Sequence, residues 1–448
     1  MQLPEDFIRE TRQLMGAERF SRYMEAFDEE APVSIRLNPQ TLGDQTLGDG
    51  SSCLTRCAVS GISQTEKNRP RVFDSDSASR SQTKKNRPRV FDRVPWCPEG
   101  YYLEGRPQFT FDPLFHAGCY YVQEAASMFV THILSELSNL SPQNVLDMCA
   151  APGGKSTAML SVLPEGSTLV SNEPIPTRAQ ILLENITKWG ANNCIVTNNY
   201  PRDFKKAKAK FDLILCDVPC SGEGMFRKDS ATIGEWSLQN VEKCWRLQRE
   251  IVADAWECLN PGGILIYSTC TFNIKENEEN VRWIIDTYDA EPIDIPTEPS
   301  WGITGSLLEG FDAPVYRFIP GITRSEGLFV CVLRKSGEWK VESGKRILKN
   351  KLSSPLKELS AAEQFSFLFP PSSFHIDLSY AEALKYLRGE ALVLPPDTPR
   401  GLITVTYKGV SLGPVKNIGN RANNLYPKPW RIKTTHLPTE EVKIIDKQ

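Results

Sequence analysis

The 448-residue sequence has no long apolar run, no marked excess of charge of either sign and no phosphate-cradling loop. No stretch is long enough to span a bilayer and the start shows no signal-peptide pattern. The 12 cysteines are therefore expected to be reduced thiols of a cytoplasmic, monomeric protein. A net charge of -3 gives no global attraction to nucleic acid, so any such surface must be local. Cys53-x-x-x-Cys57 has no second Cys or His pair nearby, which disfavours zinc, and no metal is expected. The length is too great for one core and predicts several domains.

Two cysteines stand where apolar runs end. Phe211 to Cys216 and Gly263 to Tyr267 are short, continuous, β-branched-rich runs bounded by turn residues, the pattern of parallel strands covered on both faces. Cys220 follows the first, in Asp217-Val218-Pro219-Cys220-Ser221-Gly222, and Cys270 follows the second, in Tyr267-Ser268-Thr269-Cys270-Thr271. Ser237 to Leu259 between them has helical spacing and a stop at Asn260-Pro261-Gly262-Gly263, which completes a βαβ unit. Ligands of open α/β sheets bind beyond the carboxyl ends of the strands, so the two thiols are placed to face one substrate. Cys149, Cys194, Cys216, Cys258 and Cys331 sit in apolar runs and read as small core residues.

Upstream, Asn144 to Cys149 reads as a strand, Ala150-Ala151-Pro152-Gly153-Gly154 as a tight turn, and Lys155 to Leu163 as a helix. Small residues there let the main chain approach a ligand, and the helix start offers free N–H groups. Ser167 to Glu173 is a second strand ending in a carboxylate, placed to accept hydrogen bonds from ribose hydroxyls. A P-loop needs glycine where Cys149 stands, and no Gly-x-Gly-x-x-Gly fingerprint is present. A nucleoside without polyphosphate, such as S-adenosylmethionine, fits better. A lysine at a positive helix start is poorly placed unless it serves a ligand, which singles out Lys155.

Residues 147 to 155, 217 to 229 and 268 to 271 resemble the signatures of the Sun/Nol/Nop family of RNA cytosine-C5 methyltransferases, in particular its bacterial small-subunit rRNA branch. The resemblance extends from Ser34-Ile35-Arg36-Leu37-Asn38-Pro39 through Val94-Pro95-Trp96-Cys97 to the C-terminus. It implies that Cys270 adds to cytosine C6 and that Cys220 assists proton removal from C5 and release of the adduct. It also implies that Asp217 hydrogen-bonds or protonates the ring edge, with Lys155 near both cofactor and base. Cys149, Ala150, Ala151, Pro152, Gly153, Gly154, Lys155, Glu173, Arg178 and Asp217 would bind the cofactor. No aspartate stands where some relatives hold the adenine. Asn198, Asn199 and Tyr200 are there instead, with Asp203 slightly late.

The expected fold is α/β, a Rossmann-like sheet of seven mostly parallel strands whose antiparallel last strand is Gly327 to Leu333. Residues 1–40 and 93–120 would form an N-terminal α+β RNA-binding region, with a helix over Pro4 to Phe27 and a strand over Val33 to Asn38. Residues 41–92 would be a flexible insertion, 121–337 the methyltransferase domain, 338–375 a linker and 376–448 a β-rich, PUA-like RNA-binding domain. The insertion contains a duplication, Ser63 to Asp74 recurring as Ser81 to Asp92 with Glu66 replaced by Lys84. Two copies are too few for a solenoid. From Gly401 to Thr435 there are six cations (Lys408, Lys416, Arg421, Lys428, Arg431, Lys433) and no acid, interleaved with Tyr407, Tyr426 and Trp430, a pattern suited to looped RNA. Ribosomal RNA is the expected substrate. The alternatives are a tRNA methyltransferase, a DNA methyltransferase using Cys220 as nucleophile, and a non-catalytic ribosome-assembly factor.

Overall fold

The computed structural model describes residues 3–42, 92–338, 356–359, 374–434 and 436–445. The duplicated segment, apart from its last residue Asp92, and the pair Cys53 and Cys57 lie outside them. The first helix, α1 (Glu5–Glu25), is broken at Gly16, whose φ of 72° no helical residue adopts. Strands β1 (Val33–Leu37), β2 (Gly100–Leu103) and β3 (Tyr120–Val122) form an antiparallel sheet in the order β2-β1-β3.

The large sheet is built from β4 (Asn144–Asp147), β5 (Thr168–Asn172), β6 (Cys194–Thr197), β7 (Phe211–Asp217), β8 (Leu259–Thr269), β9 (Glu291–Pro292), β10 (Tyr316–Phe318), β11 (Leu328–Arg334) and β12 (Glu358–Leu359). Its order is β10-β11-β8-β7-β4-β5-β6-β12, with β9 paired to β11. Strands β6, β5, β4, β7 and β8 are parallel; β11 runs antiparallel to β8 and β10 antiparallel to β11. Seven strands of three residues or more are thus extended by two two-residue strands. Strand β12 comes from the stretch expected to be a linker, and pairs antiparallel with β6. It occupies backbone groups that an open sheet edge would leave unpaired.

Alternate residues of the buried strands feed two cores. Val145, Leu169, Leu213, Leu215 and Ile266 pack on one face with α2 (Phe129–Glu136), α3 (Gly154–Leu160) and α4 (Pro176–Trp189). Leu146, Val170, Ile214, Leu265 and Tyr267 pack on the other with α5 (Leu238–Cys258) and α6 (Glu278–Tyr288). Each fully buried aliphatic side chain contributes about 1.5–3 kcal/mol relative to an exposed one. Cys216, Cys258 and Cys331 are buried in the second core and Cys194 in the first, while Cys149 is only partly covered.

Ser237 caps α5 by accepting from the Asn240 amide at 3.1 Å. The helix ends at Cys258 and β8 begins at once, so Asn260 to Gly263 are an irregular strand start rather than a separate stop. A Cβ at Gly263 would lie 2.8–2.9 Å from the carbonyl oxygens of Asn260 and Asp212, which explains the glycine.

The C-terminal sheet, β13 (His375–Asp377), β14 (Gly401–Tyr407), β15 (Val410–Asn417) and β16 (Ala422–Asn424), packs with helix α7 (Tyr380–Leu387). The two-residue Lys408-Gly409 turn has φ of 50° and 71°, the positive values that match hairpin twist. Its core is continuous with the N-terminal one: Ile35, Leu37, Leu114 and Tyr120 share a cluster with Leu384, Leu387, Val405 and Val415.

Candidate active site

The thiol centre is assembled from the ends of β7 and β8. Asp217 closes β7, the main chain turns through Pro219, and Cys220 meets Cys270 just beyond β8. The two sulfur atoms are 3.1 Å apart, and the Cys270 amide donates to the Cys220 sulfur at 3.3 Å. Lys155, one residue inside α3, reaches the Asp217 carboxylate at 2.7 Å, and the Ser268 hydroxyl donates to its other oxygen at 2.7 Å. Four residues expected to act together thus form two hydrogen-bonded pairs at the ends of neighbouring strands, Lys155 with Asp217 and Cys220 with Cys270.

Their electrostatics are set by burial and by one another. The Cys220 thiol is pushed well above its ordinary range, first by its hydrogen bond to Cys270, then by burial and by the charges of Cys270 and Glu276. Burial opposes the charge on Lys155, yet the attraction and hydrogen bond of Asp217 hold its ammonium above the usual value. Asp147, fully buried at the end of β4, is raised to about 7 by desolvation, although the Ser156 hydroxyl donates to it at 2.6 Å.

The turn after β4 is made of main chain. Met148 N donates to Leu215 O and Ala150 N to Asn172 O, which ties the turn to the neighbouring strands. Gly153 has φ of 113°, and a Cβ there would approach Leu182 to 3.2 Å. Glu173 follows β5 and is 1% exposed; it accepts from Ile175 N at 2.9 Å and pairs with Arg178 at 3.4 Å. Arg178 also donates to Ala151 O at 2.9 Å, so one half-exposed side chain links turn and carboxylate. A main-chain turn beside a buried carboxylate fits a nucleoside. The Asn198 amide donates to the carbonyls of Glu173 and Pro174, and Asp203 accepts from Tyr200 N, so Asp203 caps its own helix.

Sequence reasoning passed over several buried charged residues, among them Arg36, Glu223 and Glu276. Arg36 reaches from β1 to Thr157 (2.6 Å) on α3 and Ser161 (2.9 Å) at its end, lies over Trp189, and is lowered to about 10 by burial. Glu223 and Glu276 are 2% and 0% exposed and bind the loops that carry the thiols. Both stand beside the cysteine motifs, but a glutamate after a strand reads as solvated until its donors are seen. The C-terminal aromatics need a correction: Tyr407 and Tyr426 are 4% and 2% exposed, because strand alternation and the turn after β16 direct them into the core. Lys416, Arg421, Lys428 and Lys433 remain exposed on that module. Among the described residues no group of three or more His, Cys, Asp or Glu could hold a metal.

A parallel sheet with an antiparallel final pair, a main-chain turn after its central strand and a carboxylate after the next make a Rossmann-like fold of the methyltransferase type. Residues 136–334 match the family model of the 16S rRNA methyltransferase RsmB/F, 63–125 that of the N-terminal domain of 16S rRNA methyltransferase RsmF, and 373–432 that of the methyltransferase RsmF PUA domain. Residues 136–334 are thus similar to the RsmB/F methyltransferase family, with models of the RsmF N-terminal and PUA domains matched on either side. It is 38% identical over 251 residues to a ribosomal RNA small subunit methyltransferase F of Cronobacter sakazakii, covering 54% of this chain and 51% of that protein. The same-named protein of Pectobacterium atrosepticum is 37% identical over 253 residues with the same shares. The chain thus spans about half the length of the curated relatives it matches. In fold it is similar to a methyltransferase homolog from Pyrococcus horikoshii (TM-score 0.52, 23% identity, 74% of this chain and 100% of that one). It is also similar to NSun6 of that organism with SFG (TM-score 0.53, 20% identity, 75% and 99%).

Proposed function

We propose that the protein is an S-adenosylmethionine-dependent RNA cytosine-C5 methyltransferase acting on 16S ribosomal RNA, with Cys270 as nucleophile and Cys220 as the residue that helps release the product. The observation that carries this reading is the meeting of two thiols from loops fifty residues apart, 3.1 Å from each other, with Lys155 and Asp217 alongside. The names of the family model and of the relatives support the RNA substrate.

Cytosine C5 is a poor nucleophile. Addition of the Cys270 thiolate to C6 makes C5 enamine-like, and Asp217 serves the ring edge by hydrogen bonding or proton donation. When bound, S-adenosylmethionine supplies the electrophilic methyl group, and the turn from Cys149 to Gly154, with Glu173 and Arg178, would hold it. The largest cause that keeps the proton on Cys220 is Cys270 itself. Once the Cys270 sulfur is bonded to carbon that cause is gone, which eases loss of the Cys220 proton to water; the resulting thiolate then takes the C5 proton as the Cys270–C6 bond breaks and Cys270 leaves as thiolate. The target base would be extruded from its stack to reach the thiols, with exposed cations of the C-terminal module on the RNA phosphates. The same reading makes the protein a cytoplasmic monomer.

Bisulfite sequencing of total RNA from a strain lacking the gene tests this. One protected cytosine in small-subunit rRNA should become convertible, and the wild-type gene but not Cys270→Ala should restore it. Identical maps with and without the gene would overturn the reading.

A further inference from the structure

The two thiol loops are joined by two buried carboxylates that cross over. Glu223, on the Cys220 loop, accepts from Phe272 N (2.6 Å) and Asn273 N (3.1 Å), both on the Cys270 loop. Its other oxygen accepts from Trp236 Nε1 and Asn273 Nδ2, each at 3.0 Å. Glu276, on the Cys270 loop, accepts in return from Ser221 N (3.0 Å), the residue after Cys220, and from Gln248 Nε2 (2.7 Å). Asn273 Nδ2 bridges the pair, lying 2.8 Å from Glu276. The hydroxyls of Ser221 and Thr271 meet at 2.9 Å, and Gly224 N donates to Cys270 O at 2.8 Å.

We propose that Glu223 and Glu276 are positioning residues that fix the distance between the Cys220 and Cys270 sulfur atoms. The groups hydrogen-bonded to these carboxylates are all donors, so an acceptor-only anion fits where a carboxamide must turn an NH2 toward other N–H groups. Two like charges this close and this buried are costly, and Glu276 is raised to about 7, first by burial and then by the Glu223 charge. Loops that needed only to be folded could be tied by neutral groups at less cost. A crossed pair of anions resists motion of either loop relative to the other, and that relative motion separates the sulfur atoms.

The two-thiol probe phenylarsine oxide tests the spacing without RNA. It condenses with two thiols, forming two As–S bonds and releasing one water. The wild-type chain should bind it tightly through Cys220 and Cys270, and Cys220→Ala should not. Glu223→Gln and Glu276→Gln should weaken binding by about tenfold or more while a single cooperative melting transition persists. Affinity within about threefold of wild type in both folded variants, or tight binding by Cys220→Ala, would overturn the proposal. If either variant fails to fold, Asn273→Ala, which keeps both anions and their other donors, should still weaken binding by about threefold or more, and unchanged affinity there overturns it equally. The catalytic consequence rests on the function proposed above. On RNA methylated by the wild type, Glu276→Gln should lower kcat by about tenfold or more with KM little changed. A wild type inactive on every rRNA would remove that function and leave the arsenical titration decisive.

Discussion

On the cofactor side of the sheet the walls are main chain and small side chains, with one carboxylate tied to a half-exposed arginine. On the thiol side, Ser221, Glu223, Phe272, Asn273 and Glu276 of the two loops and Gln248 of α5 are locked through buried carboxylates and amides. The first construction suits a ligand that enters and leaves at every turnover. The second suits sulfur atoms that must return to one separation after each adduct forms and breaks. Main chain gives shape without commitment to a charge state, whereas side-chain anions give rigidity at the cost of desolvation.

The comparison breaks most sharply at Cys270. Cys270→Ala should abolish methyl transfer, a loss of about a thousandfold or more, and leave cofactor affinity within about threefold, because the residue belongs to the thiol side alone. Isothermal titration alongside a tritium-transfer assay measures both, and turnover by this variant with an inactive Cys220→Ala would hand the nucleophile role to Cys220.

Cys220→Ala should still attack C6 but stall before release, with turnover down by about a hundredfold or more. A slow band on denaturing gels, surviving detergent and heat and missing from Cys220→Ala/Cys270→Ala, is the expected signature.

On the other side, Glu173→Ala removes a charged acceptor worth about 1.5–3 kcal/mol per hydrogen bond, so cofactor affinity should fall by about ten- to a hundredfold. The arsenical affinity of the thiol pair should not change. Calorimetry with unaltered cofactor binding would reduce Glu173 to a helix-start residue.

The smallest effect is on stability. Asp147 lies under both halves, and its pKa is raised from 3.8 to about 7 on folding. The stability linked to its proton is complete below 3.8 and is lost as pH rises through about 7. Asp147→Asn should therefore gain in melting temperature relative to wild type between pH 5.5 and pH 8, by about 2–4 °C for each 1 kcal/mol. A constant difference across that range would show that Asp147 is ionised in the native state throughout.

Strand ends, the turn at Gly153 and the meeting of Cys220 with Cys270 were legible in the sequence because each is announced by neighbours a few residues away. Glu223, Glu276 and Arg36 were not, since the bonds that tie them across the fold, to Phe272 and Asn273, to Ser221 and to Thr157, span about fifty to more than a hundred positions and no local period records them. Tyr407 and Tyr426 misled for the opposite reason: aromatics among cations resemble a stacking surface until the sheet turns them inward. The α1 break at Gly16 was visible as a residue but not as an event, because glycine within a helical pattern is often tolerated.

The core shared by the first and last modules ties the molecule's assembly to the order of its synthesis. Ile35, Leu37 and Tyr120 complete their packing only against Leu384, Val405 and Val415, which leave the ribosome some three hundred residues later. The large sheet and the N-terminal residues that share its core can condense first, while the N-terminal strands wait with part of their apolar surface uncovered. The C-terminal module from residue 374 onward thus acts as a closing clasp, and a ribosome that stalls before it leaves an incompletely covered N-terminal sheet for chaperones to shield.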